Sequence, residues 1–475
     1  MILNPISTGK NIEISGVEKN LKLANGSVQA GDFISIEERF DINKANYTLS
    51  HSGSLLGQES KKVLVVNNVT ENNVFQYADF FVLERTQSAP GYIHIHYFHI
   101  DSNFDVQLIS SYDTGIIIQA NGFDAIILEQ SESYIRFAIF YDKYMTSSSE
   151  QLGLRYSIIN YDISSKAYSI IKTAVIYSYS SSSSVIQNDD IYVKAINVGD
   201  GKGNNYIFLA FKGSSAVKNV RAQTYLYQNG TLILQSSQSL VSISISSEMP
   251  SLDVAIIEAN KVLIAFGEPL GSSYDNRVRL GCVVCTLNSG RMTVGSKYSL
   301  SSDVYTGAYI QAKTLSDGRV HITHVYYNSS DSYGYSLGST FATVSGTTVS
   351  LTSRRLTTVQ NSGLYEAKTI EMPGNRIYVF HCGASNYRLY CYSEVLNGSG
   401  KDAQIHDVAY GGLNPEAFKL TDDKIVVVHY GLTGRGTCVS IYNIDQISKF
   451  SSGVTFGVAK TDGRSGDTIV VYMPE

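Results

Sequence analysis

The chain has 475 residues, 43% of them hydrophobic and 17% charged, with a formal charge of −5. That length allows two to three domains, or one large repeat domain with a small companion, and the apolar share is ample for a core. Acidic and basic residues are mixed along the chain with no basic stripe, so neither nucleic acid nor an anionic membrane surface is an expected partner.

The first residues, MILNPISTGKNIEI, lack a basic segment followed by a long apolar run, so no secretory signal is read there. No stretch reaches the roughly 18 apolar residues that a spanning helix needs, and no membrane insertion is expected. The chain is expected to be made in a cytoplasm.

From residue 75 onward the sequence repeats itself. In chain order the copies are FQYADFFVLERT (Phe75–Thr86, degenerate), FDAIILEQSESYIRFAIFY (Phe123–Tyr141), DIYVKAINVGDGKGNNYIFLAFKG (Asp190–Gly213) and LDVAIIEANKVLIAFG (Leu252–Gly267). QAKTLSDGRVHITHVYY (Gln311–Tyr327), EAKTIEMPGNRIYVFHC (Glu366–Cys382) and EAFKLTDDKIVVVHYG (Glu416–Gly431) follow. Each reads as a strand, a turn and a second strand, giving seven hairpins. A third strand-like segment follows each hairpin, as in YIHIHYFHID (Tyr92–Asp101), and a more polar fourth segment usually comes next. Val, Ile, Tyr, Phe and Thr dominate and no helical stripe appears, so the expected class is all-β.

Burial discriminates among all-β folds. The second strands, such as YIFLAF, KVLIAF and KIVVVHY, are apolar on both faces, whereas the fourth are mixed and Ser-rich. A two-layer sandwich leaves one face of each strand wet. A radial stack of small sheets gives the observed gradient, so the prediction is a seven-bladed β-propeller over 61–446, with a solenoid or a run of separate sandwiches as the alternative. The last unit lacks an outer strand, and Lys61–Asn68 (KKVLVVNN) is expected to supply it, closing the ring.

AGDFISI (Ala30–Ile36) and SGDTIVV (Ser465–Val471) carry the same small-Gly-Asp-x-Ile phrase at opposite ends of the chain. A closed ring brings its entry and exit together, so 1–60 and 447–475 are expected to form one small β-domain into which the propeller is inserted. Gly31 and Gly466 would take the turn dihedral, and Asp32 and Asp467 would cap the turn amides.

The stretches NGSVQAGDFISI and GVAKTDGRSGDTIVVYMPE together resemble the terminal segments of tail proteins from phages and tail-like particles of Gram-positive bacteria. The match covers about thirty residues directly. The resemblance implies a virion component: a fibre, baseplate-peripheral or receptor-binding protein, in multiple copies per particle, docked to other tail or baseplate proteins through the terminal β-domain. It implies no catalytic residues.

The residues themselves give little sign of catalysis. Cys282 and Cys285 form a C-x-x-C in LGCVVCTL, but residues three apart on a strand point to opposite faces, so two buried thiols acting as small hydrophobes are expected. His94 and His96 share a strand face as a metal pair would, yet lack a third ligand; they, His99, His321, His324, His381 and His429 are read as packed, hydrogen-bonded imidazoles, and no metal or cofactor is expected. VGDGKGNNY (Val198–Tyr206) lacks the helix and the Lys-Ser/Thr of a phosphate loop and reads as a long hairpin turn. Acidic residues near possible loops include Glu129, Asp253, Asp275 and Asp331, without a readable pairing. A propeller glycosidase of the sialidase kind would carry Ser-x-Asp-x-Gly-x-Thr-Trp boxes, and the chain has no Trp. A non-enzyme is therefore expected.

The second-to-third strand connections, including KYMTSSSEQ, PLGSSYDN, NSSDSYGY and GASNY, are rich in Tyr, Ser, Gly, Asn and Asp. Tyr offers contact area at low entropic cost and the small polar residues offer adaptable hydrogen bonds. Tyr144, Tyr274, Asp275, Asp331, Tyr333, Tyr335 and Tyr387 are the candidate ligand-binding residues on such a face, for a host-surface glycan or protein. The alternatives are a purely structural virion or baseplate protein, and a propeller glycoside hydrolase.

Overall fold

The computed structural model describes residues 61–72, 74–85, 91–143, 153–178, 191–199, 204–212, 219–242, 251–269, 277–300, 305–306, 309–327, 335–352, 355–357, 364–373, 375–383, 388–396, 404–410, 415–430 and 437–443. It also describes the backbone of the strands Gly16–Lys22, Ser27–Val28, Phe33–Glu37, Asp41–Thr48, Gln446–Lys449, Phe456–Ala459, Gly463–Arg464 and Thr468–Pro474. Among the described residues every regular element is a strand, and no helix is long and apolar enough to cross a membrane. The chain is all-β. It divides into two compact units, Met1–Asn43 with Tyr442–Glu475, and Lys44–Ile441.

The large unit is a succession of meanders, designated A to G, whose first three strands pair in chain order; the outer position is divided among Arg291–Val294, Tyr298–Ser299 and Tyr305–Thr306 in D and between Thr348–Leu351 and Arg355–Thr357 in E, and in G it is taken by Asp41–Thr48. Their first strands are Lys61–Glu71 (A), the second half of Val106–Gln130 (B), Tyr192–Gly199 (C), Leu252–Glu258 (D), Gln311–Thr314 (E), Leu364–Met372 (F) and Glu416–Lys419 (G). A and B form one seven-stranded sheet, because the 25-residue strand Val106–Gln130 ends the first meander and begins the second.

Consecutive meanders pack face to face through the apolar sides of their strands. Phe81 of A meets Phe137 and Tyr161 of B at ring separations of 5.0 and 5.4 Å. Phe140 and Phe211 share the core between B and C, Phe208 and Phe266 that between C and D, Leu263 and Ile322 that between D and E, and Phe341 and Ile377 that between E and F. Lys368 of F pairs with Glu416 of G at 2.9 Å. The succession then returns to its start, since Phe80 and Phe98 of A share a core with Phe418, Val426, Val439 and Ile441 of G. The doubly apolar second strands are buried on both faces for this reason: Ile207–Phe211 and Val262–Phe266 each have at most 2% exposure. The fourth strands Ala167–Ser178 and Thr231–Ser242 are mostly exposed.

Two sequence expectations are corrected. Lys61–Asn68 does not complete the last meander; it lies in the first strand of A, and Asp41–Thr48 pairs beside Thr437–Asn443 instead. The local cause is the turn after Glu71, where Asn72 takes a left-handed conformation (φ 49°) that Asn tolerates, folding Lys61–Glu71 back on Val74–Arg85. Correspondingly, Phe75–Thr86 is not a hairpin. Its polar residue Asp79 lies mid-strand and accepts hydrogen bonds from the His99 ring at 2.8 Å and Asn67 at 3.2 Å.

The small unit contains a five-stranded sheet in the order Gly16–Lys22, Thr468–Pro474, Phe456–Ala459, Phe33–Glu37 and Gln446–Lys449. The strands that follow the two Gly-Asp phrases, Phe33–Glu37 and Thr468–Pro474, are members of this one sheet, with Phe456–Ala459 between them. Gly31, Asp32, Gly466 and Asp467 lie outside the described residues.

Candidate binding site: the central cavity

The first strands of all seven meanders wall a cavity of about 710 Å³. A first strand pairs on one edge only, so its other edge carries backbone groups that need partners. Neighbouring side chains supply several of them. Asp124 of B accepts the Ala195 N–H of C at 2.8 Å, Asp253 of D accepts the Ala312 N–H of E at 2.8 Å, and the Gln311 side-chain oxygen of E accepts the Thr369 N–H of F at 2.8 Å. In the reverse direction, Asn197 of C donates to the Ile127 carbonyl of B at 2.8 Å, and Thr314 of E donates to the Ile256 carbonyl of D.

These acceptors belong to a ring of equivalent first-strand positions, one per meander: Lys62, Asp124, Lys194, Asp253, Gln311, Lys368 and Glu416. They lie opposite Leu83, Phe140, Ala210, Ala265, Thr323, Phe380 and Val428 on the second strands. Charge alternates around the ring, broken only by the neutral Gln311. Lys62 and Asp124 are 2.6 Å apart. Burial would raise the Asp124 pKa, but the Lys62 and Lys194 charges and the Ala195 N–H hold it below the usual carboxylate range. Burial would lower that of Lys62, but Asp124 and Glu416 hold it above the usual range. Ion pairs of the ring thus join A to B, through Lys62 and Asp124, and F to G, through Lys368 and Glu416.

Lys313 departs from this pattern. It lines the cavity two residues beyond Gln311, is exposed, and makes no ion pair or hydrogen bond among the described residues. Its pKa is lowered by desolvation and by the like charge of Lys368, against a smaller opposing pull from Glu371. Glu371 is itself engaged, accepting the Ser316 N–H at 2.8 Å and its hydroxyl at 2.6 Å.

Of the residues singled out from sequence, Tyr144, Tyr274, Asp275, Asp331, Tyr333 and Tyr387 lie outside the described residues. Tyr335 begins the strand Tyr335–Ser345, opposite Tyr327. Glu129 is half-exposed on the outer side of the hairpin, accepting hydrogen bonds from Tyr134 at 2.5 Å and Arg136 at 3.0 Å.

The histidines are packed, mostly with partners. His96 meets Ser111 at 2.9 Å and Glu84 at 3.3 Å, and Glu84 also accepts the Thr437 hydroxyl. This hydrogen-bonded row ties A to G. His321 meets Thr369 of F at 3.0 Å, and His429 meets Ser440 at 3.3 Å. His381 differs: fully buried and stacked on Tyr390 with no hydrogen bond among the described residues, it has its pKa pushed by burial down to about 4. Cys282 and Cys285 are free thiols that enter different cores, the first between D and E and the second between C and D. Their strand alternation separates them as expected. Val198 pairs with Tyr206 and Gly199 with Asn205, so VGDGKGNNY closes a hairpin.

The cavity ring was not apparent from sequence, although a signal existed. The ring residues recur at intervals close to the repeat length and could be aligned on the second strands rather than on the first-strand phrases.

No family model matches the chain, and no curated protein matches it. Among solved structures, the chain is loosely similar to an α-L-arabinofuranosidase of Fusarium graminearum in complex with arabinobiose. There the identity is 10%, with 67% of this chain and 92% of that one covered and a TM-score of 0.41. A mutant of Aleuria aurantia lectin in complex with α-methyl-L-fucoside gives 13% identity, coverage of 74% and 96%, and a TM-score of 0.40. An α-L-arabinanase of Penicillium chrysogenum complexed with arabinobiose gives 11%, 88% and 98%, and 0.41. Likeness at this level says nothing of activity.

Proposed function

We propose that the large unit is a seven-bladed β-propeller and that the chain is a non-enzymatic binding component of a phage tail or tail-like particle. It takes a host-surface glycan or protein on the face formed by its second-to-third strand loops, and docks through its terminal sheet. The observation that carries the non-enzymatic part is the state of the cavity carboxylates. Asp124 holds Lys62 and the Ala195 N–H, Asp253 holds the Ala312 N–H, and Glu371 holds Ser316. Carboxylates committed to joining one meander to the next serve as scaffold, whereas glycoside hydrolysis needs a facing pair with one member free to give up a proton. The tail reading rests on the terminal phrases and is supported by the strands after them sharing one sheet.

A purely structural role is the second reading. It draws on Ile170, Ile171, Val175, Ile233 and Leu234, apolar residues exposed on the outer strands of B and C, where other particle proteins could pack. The test is a sedimentation assay of the purified chain with Gram-positive cell walls, alongside an assay for reducing ends. Saturable binding without turnover is expected. Absence of binding to any wall removes the receptor-binding reading, and steady release of reducing ends removes the non-enzymatic one.

A further inference from the structure

We propose that the cavity wall between meanders E and F is an oxyanion-binding subsite, taking a carboxylate or phosphate group on Lys313, Lys368 and the Gln311 amide. This goes beyond the loop-face reading and does not depend on it, since every residue involved lies on a first strand.

The reasoning starts from the break in the charge ring. Elsewhere a carboxylate stands between lysines: Asp124 lies between Lys62 and Lys194 in the ring, and Glu416 lies between Lys368 and Lys62. At meander E the ring carries Gln311, so no acid stands there. The Gln311 oxygen is committed to the Thr369 N–H at 2.8 Å, which leaves its NH₂ as a donor. Two residues on, Lys313 brings a cation with no counter-charge paired to it among the described residues. Lys368 uses its ammonium on Glu416 at 2.9 Å, and a lysine ammonium has three protons to give. All three side chains line the same cavity, and all three offer donors.

Two like charges brought near each other at the wall of a partly desolvated cavity oppose folding, and here the cost shows as a lowered Lys313 pKa. A bound anion reverses that cost and gains charge-assisted hydrogen bonds. The other titratable groups near Lys313 do not fill the position. Glu371 is held by Ser316, Asp253 by the Ala312 N–H, and His321, opposite Lys313 on the ladder, by Thr369.

The test is calorimetric titration of the full chain with inorganic phosphate and, separately, with galacturonate, in low salt. Saturable binding of at least one is expected, and which one binds distinguishes a phosphate from a sugar carboxylate. Lys313→Met keeps the aliphatic stem and removes the charge, and should weaken binding about tenfold or more. Lys313→Arg should keep it, and Lys261→Met, at a half-buried lysine paired with Glu258 outside the cavity lining, should leave it unchanged. Binding should fall as salt rises. Equal binding by the wild type and Lys313→Met would overturn the assignment, as would absence of saturable binding of both anions. Cell-wall sedimentation of Lys313→Met keeps the two readings apart, because the loop-face site is expected to survive this change.

Discussion

Asp124 is the most heavily used side chain of the cavity ring, and removing it gives the sharpest prediction. Its carboxylate holds Lys62 at 2.6 Å, the Ala125 N–H at 2.9 Å and the Ala195 N–H at 2.8 Å, so it joins meanders A, B and C. In Asp124→Ala the Lys62 ammonium, with a side chain only 22% exposed, loses its partner. Breaking a buried pair from one side costs about 3–5 kcal/mol, and the partial exposure of Lys62 places the loss near the lower end. The Ala195 N–H adds about 1 kcal/mol, for a total of about 4 kcal/mol. Lys62→Met with Asp124→Leu removes both charges together, leaving mainly the unpaired amides, so the double variant should lose only about 1–2 kcal/mol. Urea unfolding followed by tyrosine fluorescence measures this, since the chain has 34 Tyr and no Trp. The pair also has a pH signature. Asp124 is held below its ordinary value of 3.8, so its contribution is present above that value and is lost on acidification. Lys62 is held above 10.5, so its contribution is present below that value and is lost as pH rises through the shifted pKa. The wild type should therefore lose more stability than the double variant on going from pH 6 to pH 3. A loss below about 1 kcal/mol for Asp124→Ala, or a double variant no better than the single, would refute the ring as a clamp between meanders.

Glu268 is bound by Arg279 at 2.9 Å, by Ser299 at 2.7 Å and by Lys297; these contacts outweigh desolvation and pull its pKa to about 2. Its contribution is complete above about 4.5 and lost toward pH 2. Glu268→Gln should cost about 1–2 kcal/mol at pH 7 after allowance for solvent screening, with the gap from wild type closing near pH 2 in urea titrations. Phe81→Ala should cost about 3–5 kcal/mol by the same unfolding assay, because it empties the contact of A with B at Phe137 and Tyr161. Burial pushes the Cys282 and Cys285 thiols up to about 12, so a thiol-disulfide reagent at pH 8 should leave both unmodified in the folded chain and react with all five cysteines after unfolding.

What could be read from sequence was what depends on local alternation. YIFLAF and KVLIAF are apolar on both faces because each lies between two neighbours, and Cys282 and Cys285 enter different cores because they are three apart on one strand. What could not be read depends on register across meanders. The phrases QAKT and EAKT invite superposition of Gln311 on Glu366, yet the ladders set Gln311 opposite Thr323 and Lys368 opposite Phe380, an offset of two. An even offset preserves which face each residue occupies, so the alternation gives no warning of it. Phe75–Thr86, which contains Asp79, misled for a different reason. A lone acid in an apolar run signals a turn unless a partner lies across the sheet, and here the partner is His99, twenty residues away. The ring from Lys62 to Glu416 requires seven strands to converge, which no sequence window contains.

The pairing of Asp41–Thr48 with Thr437–Asn443 sets a schedule for biosynthesis. The earlier segment leaves the ribosome about 390 residues before its mate. At roughly 5–20 residues per second that is an interval of about 20–80 s. Throughout it the nascent polypeptide carries an unmated β-segment, the kind of edge that pairs promiscuously with other chains. Completion of meander G thereby waits for a strand about 390 residues downstream, a pairing of very high contact order and so a slow one. Growth conditions that lengthen translation, or truncation before Thr437, should send the protein into aggregates before they alter any contact within meanders A to F.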